Sequence, residues 1–169
     1  MVETMTTRRN VLFGAAFGLL AGAGAVSAFT ASGEPSGPAT TFAVNHTDDE
    51  WRHMLSPAAY DVLRNAGTEQ PYSSPLNDEH RSGTFVCAGC GQALFASNTK
   101  FDSGTGWPSF YQALDNATAG RRDNSLGMTR DEILCSRCGG HLGHVFDDGP
   151  PPTGLRFCMN GAAMGFRPA

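Results

Sequence analysis

Cys87-Ala88-Gly89-Cys90-Gly91 and Cys135-Ser136-Arg137-Cys138-Gly139-Gly140 decide how this chain is built. A CxxC turn points two thiolates at one ion, and two such turns make the closed tetrahedral sulfur shell of a structural Zn²⁺. Each pair runs at once into glycine rather than into a helical pattern, which argues against a thioredoxin-type redox pair at the head of a helix. The pairs stand further apart than in a compact zinc finger, so the ion would clip two distant parts of one domain together. Disulfides are the rival reading in an oxidising compartment. Two local CxxC disulfides would close tiny loops and add little stability, and cross-links between the pairs would need a particular geometry. One structural Zn²⁺ on Cys87, Cys90, Cys135 and Cys138 is therefore the expected cofactor. With four thiolates the shell is complete, which leaves the neighbouring His141 and His144 free for other work.

Outward from these turns the chain is of single-domain size. It has 169 residues, with 12 Lys and Arg against 16 Asp and Glu. A net charge of −4 gives no basic surface for a polyanion, so nucleic acid is excluded as the expected partner. Ten prolines and 21 glycines, with few long apolar periodic stretches, favour a turn-rich, mainly β architecture over a helical bundle. Arg8 and Arg9 precede an apolar, Gly- and Ala-rich stretch from Val11 to Phe29 that holds the small residues Val26-Ser27-Ala28. That order describes a signal peptide over 1–28, cut after Ala28, in a context like the twin-arginine signals of bacteria. An uncleaved membrane anchor is the alternative, since the stretch approaches spanning length. Either way the domain would work outside the cytoplasm, periplasmic or otherwise extracytoplasmic.

Residues 29–45 are small, polar and rich in Pro and Gly, and read as a linker to a domain at 46–169. Thr47 with Glu50 three residues on forms a capping box that opens a short helix through Trp51 and Met54. Ser56 as N-cap, Pro57 at the first helical position and Gly67 past the end bracket a second, with Ala59, Tyr60 and Leu63 turned inward. Beyond Tyr72 helical periodicity fades. Residues 84–86, 93–95, 145–146 and 155–158 read as strands between Gly-rich turns.

The fifth cysteine, Cys158, sits in Gly154-Leu155-Arg156-Phe157-Cys158-Met159-Asn160. On a strand, positions 156, 158 and 160 share a face, so a guanidinium, a thiol and an amide would converge. A nearby Arg raises the reactive thiolate fraction, and Asn160 offers N–H donors to a developing oxyanion. A lone strand cysteine can equally be a small buried hydrophobe.

Cys87-Ala88-Gly89-Cys90, Ser103-Gly104-Thr105-Gly106-Trp107-Pro108-Ser109-Phe110, Cys135-Ser136-Arg137-Cys138, His141-Leu142-Gly143-His144-Val145-Phe146-Asp147-Asp148-Gly149-Pro150 and Arg156-Phe157-Cys158-Met159-Asn160 resemble, in this order, the motifs of the B-type methionine sulfoxide reductases. The resemblance spans about residues 47–169. It implies two packed antiparallel sheets behind short N-terminal helices. It also implies reduction of the R epimer of methionine sulfoxide, free or in oxidised proteins, as a form of protein repair. By that likeness Cys158 attacks the sulfoxide sulfur and becomes a sulfenic acid, with His144 as general acid and His141 and Asn160 positioning or polarising the oxygen. Trp107 would wall the substrate methyl group, and Arg156 would stabilise the thiolate. Many members place a resolving cysteine in the loop where this chain has Thr105. Regeneration then falls to an external reductant, a small thiol or a thioredoxin-like protein, acting on a chain expected to be monomeric. The competing classes are a zinc-ribbon binding module with Cys158 in its core and a cysteine hydrolase using Cys158 and His144. The first gives no reason for the motifs around Trp107 and His144, and the second wants a pocket and oxyanion donors that the sequence does not identify.

Overall fold

Thr47 and Ser56 open the two helices of the computed structural model, which describes residues 41–169. Helix α1 (Asp48–Met54) begins with the reciprocal capping pair: Thr47 N–H donates to Glu50 Oε2 at 2.8 Å and Glu50 N–H donates to Thr47 Oγ1 at 3.3 Å. Helix α2 (Pro57–Asn65) begins where Ala59 N–H donates to Ser56 Oγ at 3.2 Å, and it ends where Ala66 turns left-handed at φ 54°. Ala59, Tyr60 and Leu63 are buried as the helical spacing requires, with Val62 beside them. The leader expected at 1–28 and most of the linker lie outside the described residues. Of its last residues, Val44 N–H donates to Arg137 O at 2.9 Å.

Nine strands follow among the described residues: β1 (Gly83–Cys87), β2 (Ala93–Ala96), β3 (Lys100–Phe101), β4 (Ser109–Phe110), β5 (Thr118–Asp123), β6 (Arg130–Cys135), β7 (His141–Phe146), β8 (Arg156–Met159) and β9 (Met164–Pro168). They form two antiparallel sheets, of order β2-β1-β9 and β3-β4-β8-β7-β6-β5. The four segments read as strands from sequence fall in β1, β2, β7 and β8, with Leu155 left outside. Strands β5 and β6 escape such a reading because they open on Thr-Ala-Gly-Arg-Arg-Asp and Arg-Asp-Glu, where polar side chains hide the alternation.

Aromatic rings knit the sheets together. Phe95 of β2 stacks on Phe110 of β4 with centroids 4.3 Å apart, and Phe85 of β1 meets Phe110 edge-on at 4.9 Å. Phe157 of β8 closes on Phe95 at 5.7 Å. Each such pair contributes about 1 kcal/mol beyond the burial of its surface. Phe110 is thus a core residue, fully buried.

The feature that positions the chemistry is a bulge between β6 and β7. Ile133 pairs with Gly143 but Leu134 pairs with His141, so Leu142 is an extra residue on its strand. In an unbroken strand His141 and His144, three apart, would face opposite ways. The extra residue brings them onto one face. Gly143 sits in the bulge because a Cβ there would collide with the backbone oxygen of Cys158 on β8. Gly143→Ala is expected to destabilise the fold by about 2 kcal/mol, as overpacking does. A urea midpoint equal to that of the wild type would show that β7 and β8 can spread to take the methyl group.

Candidate active site and thiol cluster

Cys87 ends β1 and Cys135 ends β6, so each CxxC turn is the continuation of a strand from a different sheet. The two turns are built alike. Gly91 N–H donates to Cys87 O and Gly139 N–H to Cys135 O, both at 2.9 Å, with the glycines left-handed at φ 71° and 69°. The four sulfur atoms lie within 4.8 Å of one another, with Cys87 to Cys138 at 3.7 Å and Cys90 to Cys135 at 3.5 Å. Those gaps are far longer than an S–S bond of about 2 Å. They match the edge of a tetrahedron whose centre is about 2.3 Å from each sulfur. The donor set therefore fits one structural metal ion. Without a cation the crowded thiols divide their protons unevenly: hydrogen bonding from Cys135 pushes Cys87 and Cys138 up, while bonds from Cys87 and Cys138 hold Cys90 and Cys135 down. A divalent cation held by Cys87, Cys90, Cys135 and Cys138 would remove that conflict by taking all four as thiolates.

Cys158 is not part of this cluster. It lies in a row that crosses five strands: Ser109 of β4 pairs with Cys158 of β8, Cys158 with His144 of β7, His144 with Glu132 of β6, and Glu132 with Arg121 of β5. Directly opposed residues share a sheet face. A thiol, an imidazole, a carboxylate and a guanidinium thus stand side by side. Cys158, His144, Trp107, Asn160, Arg130 and Phe146 line a pocket of about 140 Å³ at the middle of that row.

Each polar group around the pocket has a partner that aims it. His144 Nε2 lies 2.9 Å from Asp123 Oδ2, which also accepts from Arg130 Nη2 at 2.7 Å. Bonds from the Ser125 side chain and its backbone N–H, then from His144, hold the Asp123 carboxyl well below its usual range. With Nε2 committed to Asp123, the other ring nitrogen of His144 is the one left for a substrate. His141 is buried away from the pocket, its Nδ1 2.7 Å from Glu132 Oε1. Burial pushes His141 toward the neutral form against the pull of Glu132. Burial also opposes ionisation of Glu132, yet bonds from Arg121 and His141 hold it below the usual carboxylate range. The two imidazoles meet edge-on with centroids 5.4 Å apart.

Arg156 and Asn160 do not converge on the thiol in the simple way that strand alternation suggests. Arg156 gives its fork to Asp148, at 2.8 and 2.9 Å, which is the main reason its charge is held firmly, and Cys158 is a lesser partner. Asn160 lies one residue past β8. Its Oδ1 accepts from Glu69 N–H at 3.0 Å and its Nδ2 donates to Leu142 O at 3.1 Å, so its amide fastens a loop to the bulge. Glu69 fastens the opposite wall as well: its backbone oxygen accepts Trp107 Nε1–H at 3.1 Å and its carboxylate accepts Ala162 N–H at 2.8 Å. Asp123, Arg130, Glu132 and Glu69 were not identified from sequence. Asp148 enters the sequence reading only as part of a matched motif. Only the charges on β5 and β6 could have signalled the first three, and only once the strand order β7-β6-β5 is known.

A thiol set beside an imidazole under an aromatic wall, on a sheet pair clipped by four sulfurs, defines a thiol-dependent enzyme. A SelR domain matches residues 55–168, and the chain belongs to that family, the B-type methionine sulfoxide reductases. It is 56% identical to the peptide methionine sulfoxide reductase MsrB of Thiobacillus denitrificans over 72% of this chain and 93% of that protein. The corresponding figures for the MsrB of Leptospira interrogans are 52%, 75% and 97%. For that of Methanosarcina barkeri they are 50%, 74% and 89%.

Asp123 also makes a prediction about stability. A carboxyl held low in the folded state stabilises above its unfolded pKa, and that contribution is lost as pH falls through the folded value. The stability difference between wild type and Asp123→Asn should be constant near neutrality and shrink below about pH 4. Denaturant titrations at several pH values measure it. A difference that persists undiminished at the acid end would show that Asp123 is not held by charge.

Proposed function

We propose that this protein reduces methionine-R-sulfoxide, free or in oxidised proteins, to methionine, with Cys158 as the nucleophile. The observation that carries the reading is the cross-strand pairing of Cys158 with His144 inside a pocket walled by Trp107. The Cys158 thiolate attacks the sulfoxide sulfur and the S–O oxygen takes up a proton from His144. The sulfide leaves as methionine, and Cys158 carries the oxygen away as a sulfenic acid. Sulfur in the substrate is reduced by two electrons and sulfur in Cys158 is oxidised by two. Asp123 orients His144, and His141 with Glu132 packs behind it. Asn160 and Glu69 hold the walls in place, while Trp107 offers its flat face to the substrate methyl group. Arg156, fixed by Asp148, supplies positive charge near the thiolate.

Two thiols of an external reductant return Cys158 to the thiol, releasing water and leaving a disulfide on the reductant. Thr105 occupies the loop beside Cys158 in place of a second thiol, and the other cysteines belong to the metal site. A small dithiol should therefore turn the enzyme over faster than thioredoxin does. Equal rates, with thioredoxin trapped on a zinc-site cysteine, would contradict this. The ion is Zn²⁺, the usual choice of four thiolates. Arg8-Arg9 and the apolar stretch after them support export by the twin-arginine route, with the folded, metal-loaded domain acting outside the cytoplasm.

Assay of the separated R and S epimers with a small dithiol should show activity on R alone. Cys158→Ser should abolish it with zinc content unchanged, and Asp123→Asn should lower kcat about tenfold or more. Metal analysis should find about one zinc per chain. Its removal by chelator during thermal unfolding should lower the midpoint. Zinc-loaded protein inactive on both epimers would leave the binding-module reading in its place.

A further inference from the structure

Thr105 stands next to the reactive sulfur, its Oγ1 3.8 Å from Cys158 Sγ. Behind it runs a line of hydroxyls. Thr105 Oγ1 is 2.8 Å from Ser103 Oγ, Ser103 Oγ is 2.7 Å from Ser109 Oγ, and Ser109 Oγ is 3.1 Å from the carbonyl oxygen of Trp107. Ser109 is fully buried between Pro108 and Phe110, so the line ends inside the protein and not in water.

Each hydroxyl has a single proton to donate. That count permits two continuous arrangements. In the first, Ser109 donates to the Trp107 carbonyl, Ser103 to Ser109 and Thr105 to Ser103, which leaves the Thr105 oxygen to accept S–H from Cys158. In the second, all three hydroxyls rotate about their C–O bonds. Thr105 then donates to the sulfur, Ser103 to Thr105 and Ser109 to Ser103, while the Trp107 carbonyl gives up its donor. The first arrangement suits a thiol and the second a thiolate. Loss of the sulfur proton reverses the whole line without moving a heavy atom.

We propose that Thr105, backed by Ser103 and Ser109, is a switchable donor that stabilises the Cys158 thiolate. Thr105 touches the reacting atom; Ser103 and Ser109 are positioning residues that act through it. Hydrogen bonds to an ionised acceptor are the strong ones, and neighbours in a line polarise one another. The role matters here because Arg156 gives its fork to Asp148 and has Cys158 only as a lesser partner, while Thr105 stands at the sulfur with a hydroxyl to donate. It also gives the buried hydroxyl of Ser109, opposite Cys158 across the strands, a use that packing alone does not.

The inference rests on Cys158 as the nucleophile, but its test does not require sulfoxide reduction. Zinc-loaded protein is alkylated with iodoacetamide across a pH series, and modification of the Cys158 peptide is followed by mass spectrometry. Thr105→Val keeps the shape and removes the hydroxyl. It should move the midpoint of the pH–rate profile upward by about half to one unit and slow alkylation at pH 7 about three- to tenfold. Thr105→Ser should restore the wild-type profile, and Ser103→Ala should shift it the same way by less. The double variant should be no further shifted than Thr105→Val, because Ser103 acts only through Thr105. An unmoved midpoint in folded Thr105→Val, or full additivity of the two substitutions, would overturn the proposal. Wild-type protein that alkylates as expected yet reduces neither epimer would instead sink the sulfoxide reading and leave the donor line standing.

Discussion

Four thiols at the ends of two strands hold this molecule in register. Cys87 ends a strand of the three-stranded sheet and Cys135 a strand of the six-stranded one, with Cys90 and Cys138 in the turns that follow, so the cluster joins the layers at a single point. The aromatic contacts among Phe85, Phe95, Phe110 and Phe157 then set how the layers slide against each other. β6 leads into the second CxxC turn and β7 leaves it, and their pairing places His144. The thiol cluster, which does not include Cys158, thus sits where the two strands that position the imidazole are joined.

From that anchor the site follows by strand order. The row from Ser109 to Arg121 puts complementary groups on adjacent strands, and the bulge at Leu142 adds a second imidazole to it. The polar groups on and beside the row are aimed by others: Asp123 aims His144, Glu132 aims His141 and Asp148 aims Arg156. Loops from both sides are tied in through Glu69, which holds Trp107 and Asn160 at once. A pocket so fastened is ready for its substrate before it binds, which is how side-chain geometry contributes to rate.

The parts legible in the sequence were those written in local chemistry. Capping residues Thr47 and Ser56 mark their helices, and paired CxxC turns mark a metal. The thiolate, imidazole and indole positions came through resemblance to a family, since a lone Cys158 on a strand has no intrinsic signature. What stayed hidden depends on register. Asp123 and Glu132 matter only because β6 lies beside β7 and β5 beside β6, and nothing local to them says so. Alternation along β8 placed Asn160 on the thiol's face, but the strand ends at Met159 and Asn160 turns to hold Glu69 and Leu142. The bulge, which reverses the facing of two histidines, is an event between strands and leaves only a glycine, Gly143, as its trace.

In the proposed reaction Cys158 alone takes the oxygen from the sulfoxide. Reduced, zinc-loaded protein mixed with a limiting amount of methionine-R-sulfoxide and no reductant, then analysed by intact and peptide mass spectrometry, tests it most directly. One methionine should be released for each chain that gains a single oxygen at Cys158, with the four cluster cysteines unmodified. Methionine released with a disulfide linking Cys158 to a cluster cysteine, or no methionine at all, would contradict it.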